Sequence, residues 1–159
     1  MDLHFEQSAV VSASPQDVFD FVDDHARFSS HMASSSWMMA GGSMQVVSDE
    51  RRGRAVGSHI RMSGSMLGLR LSLDEVIARR DPPFRKAWET VGTPRLIILS
   101  WYRMGVRLER SGGGTRVTIF IDYRRPTGLA GRILSALFGG LYARWCVRQM
   151  LSGVVACFA

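Results

Sequence analysis

Residues 129–159 read LAGRILSALFGGLYARWCVRQMLSGVVACFA, and this stretch decides the fold. Placed on a wheel at about 100° per residue, Leu129, Ile133, Leu137, Leu141, Val147, Leu151 and Val155 share one broad arc. The spacing predicts one long amphipathic helix at the C-terminal end, and Arg144 and Arg148 fall inside its apolar arc. An unpaired guanidinium on a buried face costs on the order of several kcal/mol. A carboxylate, backbone oxygens, water in a pocket or an anionic ligand is therefore expected to face the two arginines, which points to a cavity protein. Two other arrangements also satisfy them. Glu75 or another acid can neutralise the pair, or Gly139-Gly140 can kink the helix and turn both to the surface.

Working back from this helix, the middle of the chain reads almost entirely as strand. Leu3 to Ser12 suits a first strand, and Ser14-Pro15 then caps and opens a short helix whose apolar side is Val18, Phe19, Phe21 and Val22. A second short helix is expected from His25 to Met32. Six strands follow, at Met44–Glu50, Ala55–Ser63, Leu67–Arg79, Phe84–Val91, Leu96–Arg110 and Thr115–Arg124. Asp81-Pro82-Pro83 and Gly92-Thr93-Pro94 are read as strand breaks because proline lacks the ladder donor, and Gly112-Gly113-Gly114 permits positive φ in a tight hairpin. No helix of useful length fits between these strands, which excludes a doubly wound parallel sheet. The expected fold is α+β: a curved antiparallel sheet of about seven strands wrapped around the long C-terminal helix, with two short helices after the first strand.

Composition narrows the function classes. A length of 159 residues with 46% hydrophobic content suits one domain, taken as 1–159. The first residues, Met1-Asp2-Leu3-His4-Phe5-Glu6, have neither a basic nor an apolar leader region, so a cytoplasmic protein is expected. The longest uncharged part of the last segment, Ile133 to Ala143, is far short of the roughly 20 residues that span a bilayer, so no integral membrane segment is expected. Cys146 and Cys157 stand roughly 16 Å apart along the helix and are expected to be free thiols. The net charge of +6 invites a nucleic-acid reading, but the basic residues alternate along strands or pair with nearby acids, and Lys86 is the only lysine. An arginine-biased composition accounts for that, and no nucleic-acid partner is expected.

The residues Ser12-Ala13-Ser14-Pro15-Gln16-Asp17-Val18-Phe19-Asp20-Phe21-Val22-Asp23-Asp24, Val56-Gly57-Ser58, Arg80-Asp81-Pro82-Pro83 and Gly112-Gly113-Gly114-Thr115-Arg116-Val117 mark caps, turns and strand starts. Together with the closing helix, they make the whole chain resemble the START and birch-pollen-allergen superfamily, the helix-grip fold, and within it the bacterial polyketide cyclase/dehydratase-like proteins known as SRPBCC. The resemblance implies an internal cavity between sheet and helix that holds an apolar or amphipathic small molecule. The motifs are structural and almost silent on chemistry.

Strand alternation supplies the inward set. Leu69, Leu71, Leu73 and Ile77 put Glu75 on the same face; Tyr102 and Met104 fall in the series Leu96 to Leu108; Tyr123 ends the series Val117, Ile119, Ile121. Ile60, Met62, Phe84, Lys86 and Trp88 join from the other strands. The expected ligand-binding residues are Met62, Glu75, Trp88, Tyr102, Met104, Tyr123, Leu141, Arg144 and Arg148, an apolar lining with a few polar groups. The ligand is anionic if the two arginines face it. His4, His25, His31 and His59 lack metal-ligand spacing, and there is neither a phosphate loop nor a nucleophile elbow, so neither metal nor cofactor is expected. The main expectation is a binder of a hydrophobic small molecule, monomeric or homodimeric. The alternative is a cyclase or dehydratase-like enzyme with Glu75, Tyr102 or Tyr123 moving protons, and a regulator that binds a partner through exposed sheet surface is a third class.

Overall fold

The computed structural model describes residues 1–28, 43–66 and 69–159. Strand β1 (Leu3–Val11) leads into helices α1 (Pro15–Asp23) and α2 (His25–Phe28). Six strands follow: β2 (Ser43–Ser48), β3 (His59–Met66), β4 (Leu69–Asp81), β5 (Arg85–Arg95), β6 (Trp101–Ser111) and β7 (Gly114–Arg124). Helix α3 (Leu129–Cys157) ends the chain. The element order is the one expected, and the fold is the curved seven-stranded antiparallel helix-grip sheet. Its strand order is β1-β7-β6-β5-β4-β3-β2. The expected ends at Met32 of the second helix and at Leu67 of the fourth strand lie outside the described residues.

Local chemistry explains where the elements begin and end. The Ser14 side chain accepts from the Asp17 amide, and Pro15 occupies the first turn of α1, where a missing amide hydrogen costs nothing. Gly112 takes φ 57 between Ser111 and Gly114, which are paired, so β6 and β7 join through a two-residue turn. Three strand boundaries differ from expectation by four residues or more. Residues 55–58 are not strand, and β3 starts at His59: the Ser58 amide donates to the Ala55 carbonyl in a turn where Gly57 takes φ 86. Gly92-Thr93-Pro94 does not end β5: Gly92 adopts φ 71 and the β4–β5 register shifts between Ser72 and Asp74, a bulge in which Pro94 needs no ladder donor. Residues 96–100 are not strand, and β6 starts at Trp101; here Ser100 donates from its amide to the Arg124 carbonyl and from its hydroxyl to that of Arg125.

The inner face of the sheet carries the core. Along β4, Leu71, Leu73, Glu75 and Ile77 are buried in alternation, as expected, whereas Leu69 at the strand end is exposed. Phe84, also expected inside, is exposed in the β4–β5 turn. Helix α3 packs over β1 and β7, and α1 lies against β6 and β7.

The helix itself overturns the opening expectation. Its buried residues are Ser135, Gly139, Ala143, Cys146, Val147, Met150, Leu151 and Val154. Leu129, Ile133, Leu137, Leu141 and Val155 are exposed, as are Arg144 and Arg148. The apolar arc is real, but most of it faces away from the sheet. Small side chains let the helix backbone approach the sheet, and a hydrophobicity wheel gives serine, glycine and alanine little weight as core positions. Both arginines therefore remain hydrated at no desolvation cost, with the Arg144 guanidinium 5.6 Å from the centre of the Phe5 ring.

Candidate active or ligand-binding site

A carboxyl and an imidazole approach each other in the interior. Glu75 on β4 and His25 at the start of α2 are 0% and 1% exposed, with His25 Nε2 4.0 Å from Glu75 Oε1. Neither oxygen of Glu75 accepts a hydrogen bond of ordinary geometry from the described residues. Burial pushes the Glu75 carboxyl up to about 8, while the Tyr102 hydroxyl near it pulls the other way without cancelling that rise. At neutral pH the carboxyl is therefore mostly protonated and can donate.

The fold holds each member in place. Asp23, the last residue of α1, receives two hydrogen bonds from Arg80, at 3.0 and 2.8 Å, and one from the buried Lys86 ammonium at 3.0 Å. Lys86 Nζ also donates to the Asp23 carbonyl at 3.1 Å. Burial favours the neutral acid at Asp23, but the bonds from Arg80 and Lys86 outweigh it and hold the carboxyl below its ordinary value. This clamp ties the α1–α2 junction to β4 and β5 two residues before His25. Asp24 Oδ1 then caps the next turn by accepting from the Arg27 amide at 3.2 Å. The His25 ring meets Trp88 edge-on at 4.8 Å. On its other side Gly53, at φ 73, leaves room for it, since a Cβ there would stand 3.2 Å from His25 Cβ.

Tyr102 is seated by a side chain that extends the sheet ladder. Beyond the Glu89–Arg103 pair, Thr90 Oγ1 accepts from the Tyr102 amide at 3.2 Å and donates to its carbonyl at 3.5 Å. Thr90 is also the cross-strand partner of Glu75, so one residue aligns acid and phenol. From α3, Tyr142 and Cys146, one turn apart, hydrogen-bond to each other. Burial raises both phenols, Tyr102 and Tyr142, well above their ordinary value, and raises the Cys146 thiol to about 12. All three are neutral at physiological pH. The interior thus holds a cluster of proton donors, drawn from β4, β6, α2 and α3.

Six of the nine residues expected at the site stand on the buried inner face: Met62, Glu75, Trp88, Tyr102, Met104 and Tyr123. Sheet register brings Met104 opposite both Trp88 and Ile121, and Tyr102 opposite Tyr123. The other three do not join them: Leu141 is 48% exposed, and Arg144 and Arg148 face outward. His25 is not among the residues expected at the site, because it lacks metal-ligand spacing and lies on no strand whose alternation would aim it inward. Its signal is faint in sequence, a lone histidine after Asp23-Asp24, and its partner lies 50 residues away on another element.

The sheet, the gripping helix and an interior lined by aromatic, thioether and neutral acid groups define a helix-grip protein of the START and birch-pollen-allergen type. The chain belongs to the family described as polyketide cyclase / dehydrase and lipid transport, whose model matches residues 2–154. A comparison with curated proteins finds no match. Among solved structures it is similar to the Zhui aromatase/cyclase from Streptomyces sp. R1128, with 14% identity, TM-score 0.71, and 98% of this chain and 93% of that one covered. It is also similar to norcoclaurine synthase from Thalictrum flavum, with 12% identity, TM-score 0.65 and coverage of 99% and 86%. Ara h 8.0201 shares the fold at 14% identity and TM-score 0.61, over 98% and 99% of the two chains. At these identities the likeness is one of fold.

Proposed function

We propose that the protein binds an apolar or amphipathic small molecule between the inner face of the sheet and α3, with Glu75 as its polar anchor. The observation that carries this reading is Glu75 itself. A wholly buried carboxyl with no ordinary hydrogen bond from the described residues destabilises the fold, and such groups concentrate where a ligand or reaction uses them. Met62, Trp88, Tyr102, Met104 and Tyr123 on the same inner face supply apolar contact and phenolic donors. The ligand that fits is uncharged at its buried end and carries a carbonyl or ether oxygen to accept from protonated Glu75. An anionic ligand loses its support, because Arg144 and Arg148, the cations expected to receive it, are exposed.

A cyclase or dehydratase-like reaction is the second reading, favoured by the 4.0 Å approach of His25 to Glu75. A protonated Glu75 can polarise a carbonyl while the His25 imidazole accepts a proton from the adjacent carbon, the division of labour that aldol closure and loss of water require. Native mass spectrometry of the protein from its own host tests the binding reading. A retained neutral species of a few hundred daltons is expected, and Glu75→Leu should release it. Protein recovered empty, and not stabilised thermally by any member of a panel of neutral aromatic ketones and lipids, would count against it. Turnover of a panel ketone by wild type but not by Glu75→Gln would favour the enzyme.

A further inference from the structure

We propose that the outward stripe of α3 docks the protein on the surface of an anionic lipid bilayer. In the first half of the helix, Leu129 (76% exposed), Ile133 (53%), Leu137 (66%), Phe138 (49%) and Leu141 (48%) stand in solvent. They cover three turns of one helix, about 18 Å long at 1.5 Å per residue. Scattered exposed leucines need no explanation, but a contiguous run on one helix marks a contact surface. No helix among the described residues is long and apolar enough to cross a membrane, so insertion of α3 as a span is not the use of this stripe.

Charge selects the occupant. The 29 residues of α3 contain Arg132, Arg144 and Arg148 and no acid. Arg144 and Arg148 continue the outward stripe directly beyond Leu141, and both are exposed. A helix with leucine and phenylalanine on one flank, arginine beside them and no acid suits the boundary between acyl chains and anionic head groups, where long side chains keep their charge in the polar layer. A second copy of this chain fits the same stripe poorly. Two-fold pairing lays the stripe against its own copy, which gathers the arginines of both helices along one seam with no carboxylate on either helix to answer them. The docking surface does not depend on what occupies the interior, and its test uses no interior ligand.

Flotation with vesicles of phosphatidylcholine, with and without phosphatidylserine, provides the test. The wild-type chain is expected to float with the phosphatidylserine vesicles, to remain largely free with phosphatidylcholine alone, and to be released by salt. Arg144→Gln with Arg148→Gln should weaken binding on the order of thirtyfold, taking about fivefold per arginine near the surface. Ile133→Glu with Leu137→Glu should abolish it. These side chains are exposed, so circular dichroism and the thermal midpoint should not change. Equal binding to both vesicle types, or none to either, would overturn the proposal. So would a stable dimer in sedimentation equilibrium that the Ile133→Glu, Leu137→Glu protein fails to form, which would assign the stripe to a second copy instead.

Discussion

At Glu75 the fold spends stability on a group that water would hydrate better. Its folded value of about 8 stands above the ordinary 4.5, so the native state holds a proton that the unfolded chain releases. The sign follows: the contribution of Glu75 to stability is greatest below about pH 4.5 and falls as the pH rises to about 8, by a total on the order of 5 kcal/mol. Glu75→Gln keeps the shape and the donor but cannot ionise. Urea titrations across that range should show a falling midpoint for the wild type and a much flatter one for the variant; equal slopes would mean that Glu75 ionises normally in the folded protein. At this scale the sequence was informative where period two governs. The inward places of Met62, Trp88, Tyr102, Met104 and Tyr123 follow from alternation, because apolar and polar residues largely alternate along their strands. His25 has no such rule, since its direction is set by the Asp23 clamp and by the room that Gly53 leaves.

The element that departs from its sequence reading is α3. A wheel ranks residues by hydrophobicity, yet the face this helix buries starts with Ser135, Gly139 and Ala143. A Cβ on Gly139 would stand 3.8 Å from Tyr123 Cε2, and one on Gly140 would stand 3.7 Å from its hydroxyl. Both are ordinary contact distances, so Tyr123 would accommodate a methyl at either position; what the wheel misses is that small side chains form the buried face. The two glycines should respond differently to alanine. At Gly140 the added methyl makes an ordinary contact, so the helix preference of about 1 kcal/mol should appear as a rise of roughly 2–4 °C in the thermal midpoint. At Gly139 the methyl would come within 2.8 Å of Ser135 Oγ, and the displaced hydroxyl should cancel that gain. Calorimetry of both variants checks this, and a rise at Gly139 as large as that at Gly140 would contradict the packing account.

For the molecule as a whole, topology was the most legible feature. Antiparallel order followed from the missing crossover helices, and the cover for the sheet followed from the one long helix left over. The exact strand ends were less so, because the bulge at Gly92–Pro94 keeps in the sheet a stretch that proline chemistry marks as a break. Since α3 supplies Cys146, Val147, Met150, Leu151 and Val154 to the core, a chain ending at Arg124 should keep strand signal in far-ultraviolet circular dichroism. It should lose near-ultraviolet signal and bind a hydrophobic dye. Retention of a fixed aromatic signal would show that the sheet packs without its helix. The pairing of β1 with β7 carries a further consequence, for a chain still being made. Leu3 meets Tyr123, 120 residues later, so β1 has no ladder partner until the last strand has been synthesised. At about 5–20 residues per second that wait is roughly 6–24 s. Throughout it β1, with Phe5 and Val11, travels with both edges of its strand unpaired, the longest such wait of any strand in the described sheet.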